Sequence, residues 1–243
     1  MWLDAPRREC VSFSERTTMN KLSATNSPAL DAPTDQQNPT VVTQVAEGLQ
    51  RYKFSLEQYH RLGETDIIDP DIRMELIRGE LMLMASKGIP HEVCLTRLNR
   101  VLVQKVGSQA VVRVQSPVII PPDSEPEPDF TIARLRDDDY MNEHPMAADV
   151  HLLIEVSASS LYVDRTIKLA LYAEAGVPHY WIFDVNARLL QTYSDPQLLR
   201  PSQPDEAYAY TQHLTLTDSQ QIAIPDLKHV ELELIECFQP KMP

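Results

Sequence analysis

Glycine is scarce. The 243-residue chain has 6 Gly against 19 Pro, and no stretch fits G-x-G-x-x-G or G-x-x-x-x-G-K-[ST]. That argues against a nucleotide cradle built on glycine. Cysteine is sparse as well. Cys10, Cys94 and Cys237 are odd in number and far apart, as free thiols are in a reducing, cytoplasmic setting, and unlike a disulfide framework. No apolar run approaches the roughly 18 residues of a membrane span, and no apolar segment follows the first basic residues. Positive charge is short: 22 Lys+Arg face 35 Asp+Glu, a net charge of −13. The summed field repels phosphate, so any nucleic-acid role needs a locally basic groove. The seven His and three Cys show no paired zinc-ligand spacing.

What is present suits one soluble domain with a tail. Residues 1–48 hold Trp2 and Phe13 as their only aromatics, and Ser23 to Thr40 is mostly small and polar. Such a segment buries too little apolar surface to offset its ordering entropy and is expected to be disordered. Met19 is an alternative start to Met1. The domain is expected over 49–243.

Ser55 reads as an N-cap for a helix through Leu56, Tyr59 and Leu62, stopped by Gly63. Met74 to Met84 reads as a hairpin turning at Arg78-Gly79, with Glu75 facing Met82 and Ile77 facing Glu80. Pro90 to Val106 has a helical stripe ended by Gly107. Val111–Val114, Val118–Ile120 and Asp129–Ala133 are expected strands, with Pro126 and Pro128 forcing extended backbone before the third. Leu152-Leu153-Ile154 marks a central strand buried on both faces. A helix over Asp164 to Ala175 and strands at His179–Asp184 and Leu189–Tyr193 follow. Asp195 to Asp205 reads as a Pro-rich loop, and weaker strand signals run on to Phe238. The mixture predicts an α/β or α+β layer fold around one mixed sheet.

Three acids stand out. Glu155 sits inside the most hydrophobic strand, where a carboxylate is costly unless paired or holding a metal. Asp129 opens a strand after Pro128, and Glu75 interrupts an apolar hairpin strand. Oxygens from neighbouring strands suit a hard cation such as Mg²⁺. Lys168 shares one helix face with Asp164 and Tyr172. Plainer readings stand beside these. Asp129 could cap a loop, Glu155 could pair with a basic side chain and no metal, Glu75 could be solvated at an edge, and Lys168 could form a surface pair with Asp164. His91 reads as a capped surface His or a phosphate contact. Arg97, Arg100 and Gln104 read as a solvated face or a local basic stripe.

In order, Glu75-Leu-Ile-Arg-Gly-Glu80, Pro128-Asp129 and Glu155-Val-Ser-Ala-Ser159 resemble the PD-(D/E)XK nuclease superfamily. With the run from Asp164-Arg-Thr-Ile-Lys168 through Tyr172 to Trp181-Ile-Phe-Asp184, the closer resemblance is to its Uma-two family of restriction-endonuclease-like proteins, over roughly Tyr52 to Phe238. The resemblance implies a restriction-endonuclease-like core with a mixed central sheet flanked by helices. It implies a Mg²⁺- or Mn²⁺-dependent endonuclease that hydrolyses phosphodiester bonds in DNA. Asp129 and Glu155 would hold the metal with the Val156 carbonyl, and Glu75 would complete the acidic site. The superfamily's Lys two places after Glu155 is Ser157 here, and Lys168 matches the helix position to which it has moved in Uma-like proteins. With its ordinary pKa of about 10.4 pushed further up by nearby acids, Lys168 would orient water rather than take a proton. The crowded carboxylates would repel and titrate high. Two rivals remain: a non-catalytic interaction module of a mobile-element or restriction system, which −13 favours, and a hydrolase of RNA or nucleotides. DNA is the expected partner, with a homodimer as one compatible assembly and no membrane association.

Overall fold

A computed structural model describes residues 51–65, 67–69, 71–84, 86–199 and 208–240. The expected tail at 1–48, the alternative start at Met19 and the thiol of Cys10 lie outside them.

Alternation along one strand organises the domain. In β5 (Val150–Ser157), Leu152, Ile154 and Val156 join one apolar cluster, and Leu153 joins the other on the opposite face. Glu155 and Ser157 share the face of Leu153, since side chains alternate along a strand. The strand lies in a six-stranded sheet ordered β3-β4-β5-β6-β7-β8. Its other members are β3 (Val111–Val114), β4 (Phe130–Ala133), β6 (His179–Asp184), β7 (Leu189–Leu198) and β8 (Tyr208–Thr217). Only β5 and β6 pair in parallel; every other pairing is antiparallel. The sheet is mixed and helices flank it, as the sequence implied.

On one face lie α2 (Ile89–Val106) and α5 (Leu234–Cys237), with the small pair β9 (Gln221–Ala223) and β10 (Glu231–Glu233). On the other lies a continuous helix in three parts: α3 (Leu161–Val163), a π-turn at Asp164–Lys168, and α4 (Leu169–Glu174). In the π-turn the Leu169 N–H reaches back five residues to the Asp164 carbonyl. Helix α1 (Leu56–Gly63) begins with a capping box: the Ser55 Oγ accepts from the Gln58 N–H, and the Gln58 side chain accepts from the Ser55 N–H.

The hairpin of β1 (Met74–Ile77) and β2 (Glu80–Leu83) has the expected register, Glu75 opposite Met82 and Ile77 opposite Glu80. Arg78 and Gly79 both take positive φ, 50° and 77°, as a two-residue hairpin turn requires. A Cβ on Gly79 would lie 2.7 Å from the Lys53 Cβ, so the turn also depends on a missing side chain.

Several expectations are corrected. Val118–Ile120 is not a strand; only isolated bridges join Ile119 to Met146 and Ile120 to Ser124, between Pro117 and Pro121. The expected loop from Asp195 begins instead as strand, because β7 runs to Leu198 against β8. Since β6 ends opposite Ser194, Pro196 has a strand on one side only, a position that tolerates proline. The helix expected from Asp164 starts at Leu161 and includes the π-turn, and the short α5 lies where only weak strand signals are expected. No helix among the described residues is long and apolar enough to cross a membrane.

Candidate active site

Glu75, Asp129, Glu155, Asp164 and Lys168 line one cavity of about 180 Å³. Each arrives by a separate route. The hairpin brings Glu75, with backbone bonds from Leu76 and Gly79 to Glu125 and Asp123 fixing it against the domain. Asp129 stands at the entry to β4, after the two prolines. Glu155 is set by the pleat of β5, and Lys168 closes the π-turn.

Lys168 is buried. Its Nζ donates to Glu155 Oε1 at 3.0 Å and lies 3.1 Å from Glu75 Oε2. The surface-pair reading with Asp164 is thereby overturned. Burial alone would lower the Lys168 pKa, but Glu155, Glu75 and Asp164 outweigh it and hold the ammonium charged. The Tyr172 hydroxyl donates to the same Glu155 Oε1, at 3.2 Å. Both described donors to Glu155 therefore converge on one oxygen. Burial, then the charges of Asp164, Asp129 and Glu75, pushes the Glu155 carboxyl well above its ordinary range despite Lys168. One buried ammonium does not balance this many carboxylates.

Asp129 behaves in the opposite way. Burial would raise its pKa, yet His91, Gln115 and the Val156 N–H hold it below the ordinary value. Oδ2 accepts from Val156 N at 2.9 Å and faces His91 Nε2 at 3.2 Å, and Oδ1 accepts from Gln115 Nε2 at 2.9 Å. The expectation that the crowded acids all titrate high thus holds for Glu155 and fails for Asp129, whose donors win. Asp129 does not cap its own loop; it ties β4's entry to β5. Glu75 is not a solvated edge residue either: it is buried, and its Oε2 accepts from the Glu127 N–H at 3.1 Å. Glu80, on the same hairpin face, turns instead to Arg51. Asp164 Oδ2 accepts from Ser157 and Ser160, each at 2.6 Å. Ser157, at the superfamily's lysine position, therefore serves the helix start.

His91 is not a capped surface residue. It is buried beside Asp129, and its Nδ1 has no hydrogen-bond partner among the described residues. A His directly after the helix's first-turn Pro90 was the signal. Gln115 had none, because its left-handed φ of 46° and its reach to Asp129 appear only in three dimensions. Arg97 is not part of a free basic stripe, since its guanidinium donates to the carbonyls of Glu236 and Ile235 in α5. At the cavity rim, burial and then the charge of Arg73 push the Lys87 pKa down.

Among the described residues, no three acidic, His or Cys side chains form a ready-made metal cluster. The donor chemistry still fits one hard cation that keeps most of its waters. Mg²⁺ takes only one or two carboxylates besides water, and the cavity holds a carboxylate surplus that leaves Glu155 biased toward its protonated form.

Comparison with known proteins gives the chain a family and a similar fold. The family model Uma2, described as "Putative restriction endonuclease", matches residues 56–225, a span that includes every residue of the cluster. A solved structure titled a "putative nuclease", from Anabaena variabilis ATCC 29413, is similar over 76% of this chain and 97% of that chain, with a TM-score of 0.56 and 14% identity. At that identity the likeness speaks for the fold. No curated protein matches the chain.

Proposed function

Because the chain belongs to the Uma2 family of restriction-endonuclease-like proteins, we propose that it is a metal-dependent endonuclease that hydrolyses phosphodiester bonds in DNA. The observation that carries this reading is the convergence of Glu75, Asp129, Glu155 and Lys168, from four separate segments, on one cavity. Asp129 and Glu155, with the Val156 carbonyl, would hold Mg²⁺ or Mn²⁺. Such an ion, when bound, lowers the pKa of a coordinated water and offsets charge on the phosphate.

The chain's own groups do the positioning. Lys168 and Tyr172 occupy Glu155 Oε1 and leave Oε2 as the oxygen available to a ligand. Gln115, His91 and the Val156 N–H fix the Asp129 carboxylate. Glu75 holds the Lys168 ammonium from its other side. Because Lys168 stays protonated, it donates: it orients the attacking water or a phosphate oxygen and does not serve as the base. Nicking of supercoiled plasmid, with Mg²⁺ and with Mn²⁺, tests the reading beside Asp129→Ala. Loss of either metal holder should cost about 3 kcal/mol of transition-state stabilisation, more than a hundredfold in rate. Equal cleavage by wild type and Asp129→Ala would dismiss the site. Absence of cleavage of any DNA by wild type would favour the non-catalytic interaction module.

A further inference from the structure

Helix α2 borders a second groove, and Lys87 lines both this groove and the cavity. Arg97, Arg100 and Pro240 carry the groove onward, with Glu92 as the one acid in its lining. Charge along α2 runs against that of the chain. The helix holds Arg97, Arg100 and Lys105 against Glu92 alone, whereas the whole chain has 35 Asp+Glu for 22 Lys+Arg. Among the described residues, no carboxylate lies within ion-pair distance of Lys87, Arg97 or Arg100. Arg97 donates through Nε and Nη2 to the carbonyls of Glu236 and Ile235. Those bonds fix the guanidinium in place without cancelling its charge. Arg100 is exposed and Lys87 half-buried. The N-terminal end of α2, at Gly88 and His91, lies on the cavity and adds partial positive charge there.

We propose that this groove is the track for the backbone of the DNA strand cut in the cavity, with Lys87, Arg97 and Arg100 holding phosphates that flank the scissile one. The inference rests on the nuclease reading of the cavity. A chain of −13 repels a polyanion over most of its surface. A row of cations without carboxylate partners, leading away from the cavity, is where a polyanion can lie against it. Spacing fits as well. Nine positions separate His91, on the cavity, from Arg100, or about 13 Å of helix. With about 3.4 Å of duplex axis per nucleotide of one strand, Arg100 meets a phosphate about four nucleotides from the cut. Contacts of this kind fix the position of the strand and carry no sequence information.

Fluorescence anisotropy of labelled duplex DNA, in EDTA and in Ca²⁺ at several salt concentrations, tests this beside plasmid nicking in Mg²⁺. Lys87→Gln and Arg100→Gln should each weaken binding about tenfold in 0.1 M salt, whatever the DNA sequence, and lower the slope of log affinity against log salt by about 1. Arg61→Gln, which neutralises a cation outside the groove, should change neither. Arg100 is exposed and unpaired, so Arg100→Gln should melt as the wild type does. Nicking by the wild type together with unchanged binding in both groove variants overturns the track and leaves the nuclease reading standing. Equal weakening by Arg61→Gln overturns it too, because a general field would then hold the DNA. Binding that is weakened in the groove variants, with no nicking by the wild type, supports the groove and overturns the nuclease reading alone. A wild type that binds no DNA in either buffer overturns the proposal.

Discussion

Lys168 Nζ and Glu155 Oε1 lie 3.0 Å apart, 13 positions separated in sequence, both nearly sealed from water. Because the ammonium also meets Glu75, Lys168 is structural as well as functional. As half of a surface pair with Asp164, Lys168 would be replaceable by Ala with little loss of stability. Burial changes that expectation. Removing the cation strands two carboxylates, and breaking a buried pair costs about 3 kcal/mol. Denaturant unfolding of Lys168→Ala at neutral pH should show a loss of that order. A loss near zero would mean that the carboxylates escape to water or take up protons at no cost.

Glu155 and Asp129 should give opposite pH signatures. The Glu155 carboxyl is raised in the folded state, so the folded chain keeps a proton that the unfolded chain releases near pH 4.3. Its ionisation therefore removes stability as pH climbs from there through the folded value. Asp129 is held low; its contribution is present above about pH 3.9 and disappears as pH falls through the folded value. Glu155→Gln should flatten the alkaline-going decline in melting temperature, whereas Asp129→Asn should flatten the acid-side loss. Matching pH–stability curves for wild type and both variants would contradict these environments.

Metal should stabilise the wild type more than Glu155→Gln. A ligand that binds only the folded form adds about 2.7 kcal/mol at a hundredfold excess over Kd. Glutamine keeps an oxygen for Lys168 and Tyr172 but weakens the ligand. Melting in EDTA and in millimolar Mg²⁺ or Mn²⁺ checks this. Metal-free Glu155→Gln should match or exceed wild type, and its metal-induced rise should be much smaller. Equal rises would remove Glu155 from the metal-holding set.

Tyr172→Phe isolates positioning from packing. The ring remains edge-on to Tyr180, with centroids 4.9 Å apart, and only the donor to Glu155 Oε1 is lost. Stability should fall by about 1 kcal/mol. Metal affinity, read by calorimetry, should weaken, because Glu155 loses one of the two groups that fix its carboxylate. Unchanged affinity would make the hydroxyl a purely structural contact.

Gly79→Ala should act at a distance. The alanine meets both a φ of 77° and the Lys53 Cβ, together about 2 kcal/mol. Because the turn holds the hairpin that carries Glu75, activity should fall as well. A melting temperature equal to wild type would show that segment 53–54 yields freely.

Features with a local cause were legible in the sequence. The Ser55 cap, the Arg78-Gly79 turn, the Gly107 stop and the buried β5 each depend on residues within a few positions. The acidic set was legible because a carboxylate in an apolar strand is conspicuous. The rest depended on distant partners. Asp129's low pKa comes from Gln115, His91 and a β5 amide, none adjacent in the chain. The length of β7 depends on β8, which continues beside it past the end of β6. The burial of His91 depends on Asp129 arriving beside it, and Lys168's choice of Glu155 over Asp164 depends on two serines already holding Asp164.

The π-turn at Asp164–Lys168 sets a limit on redesign. A helix wound with one residue too many per turn is rare and is found mostly at functional sites, and shortening it by a residue would restore a regular helix. That deletion would rotate everything after it about the helix axis, carrying Lys168 and Tyr172 off Glu155 Oε1. The gain from a regular helix would thus be offset by the buried carboxylates left without their cation, so the irregular turn and the ion pair it enables stand or fall together. Neither selection for heat resistance nor selection for turnover should find the deletion.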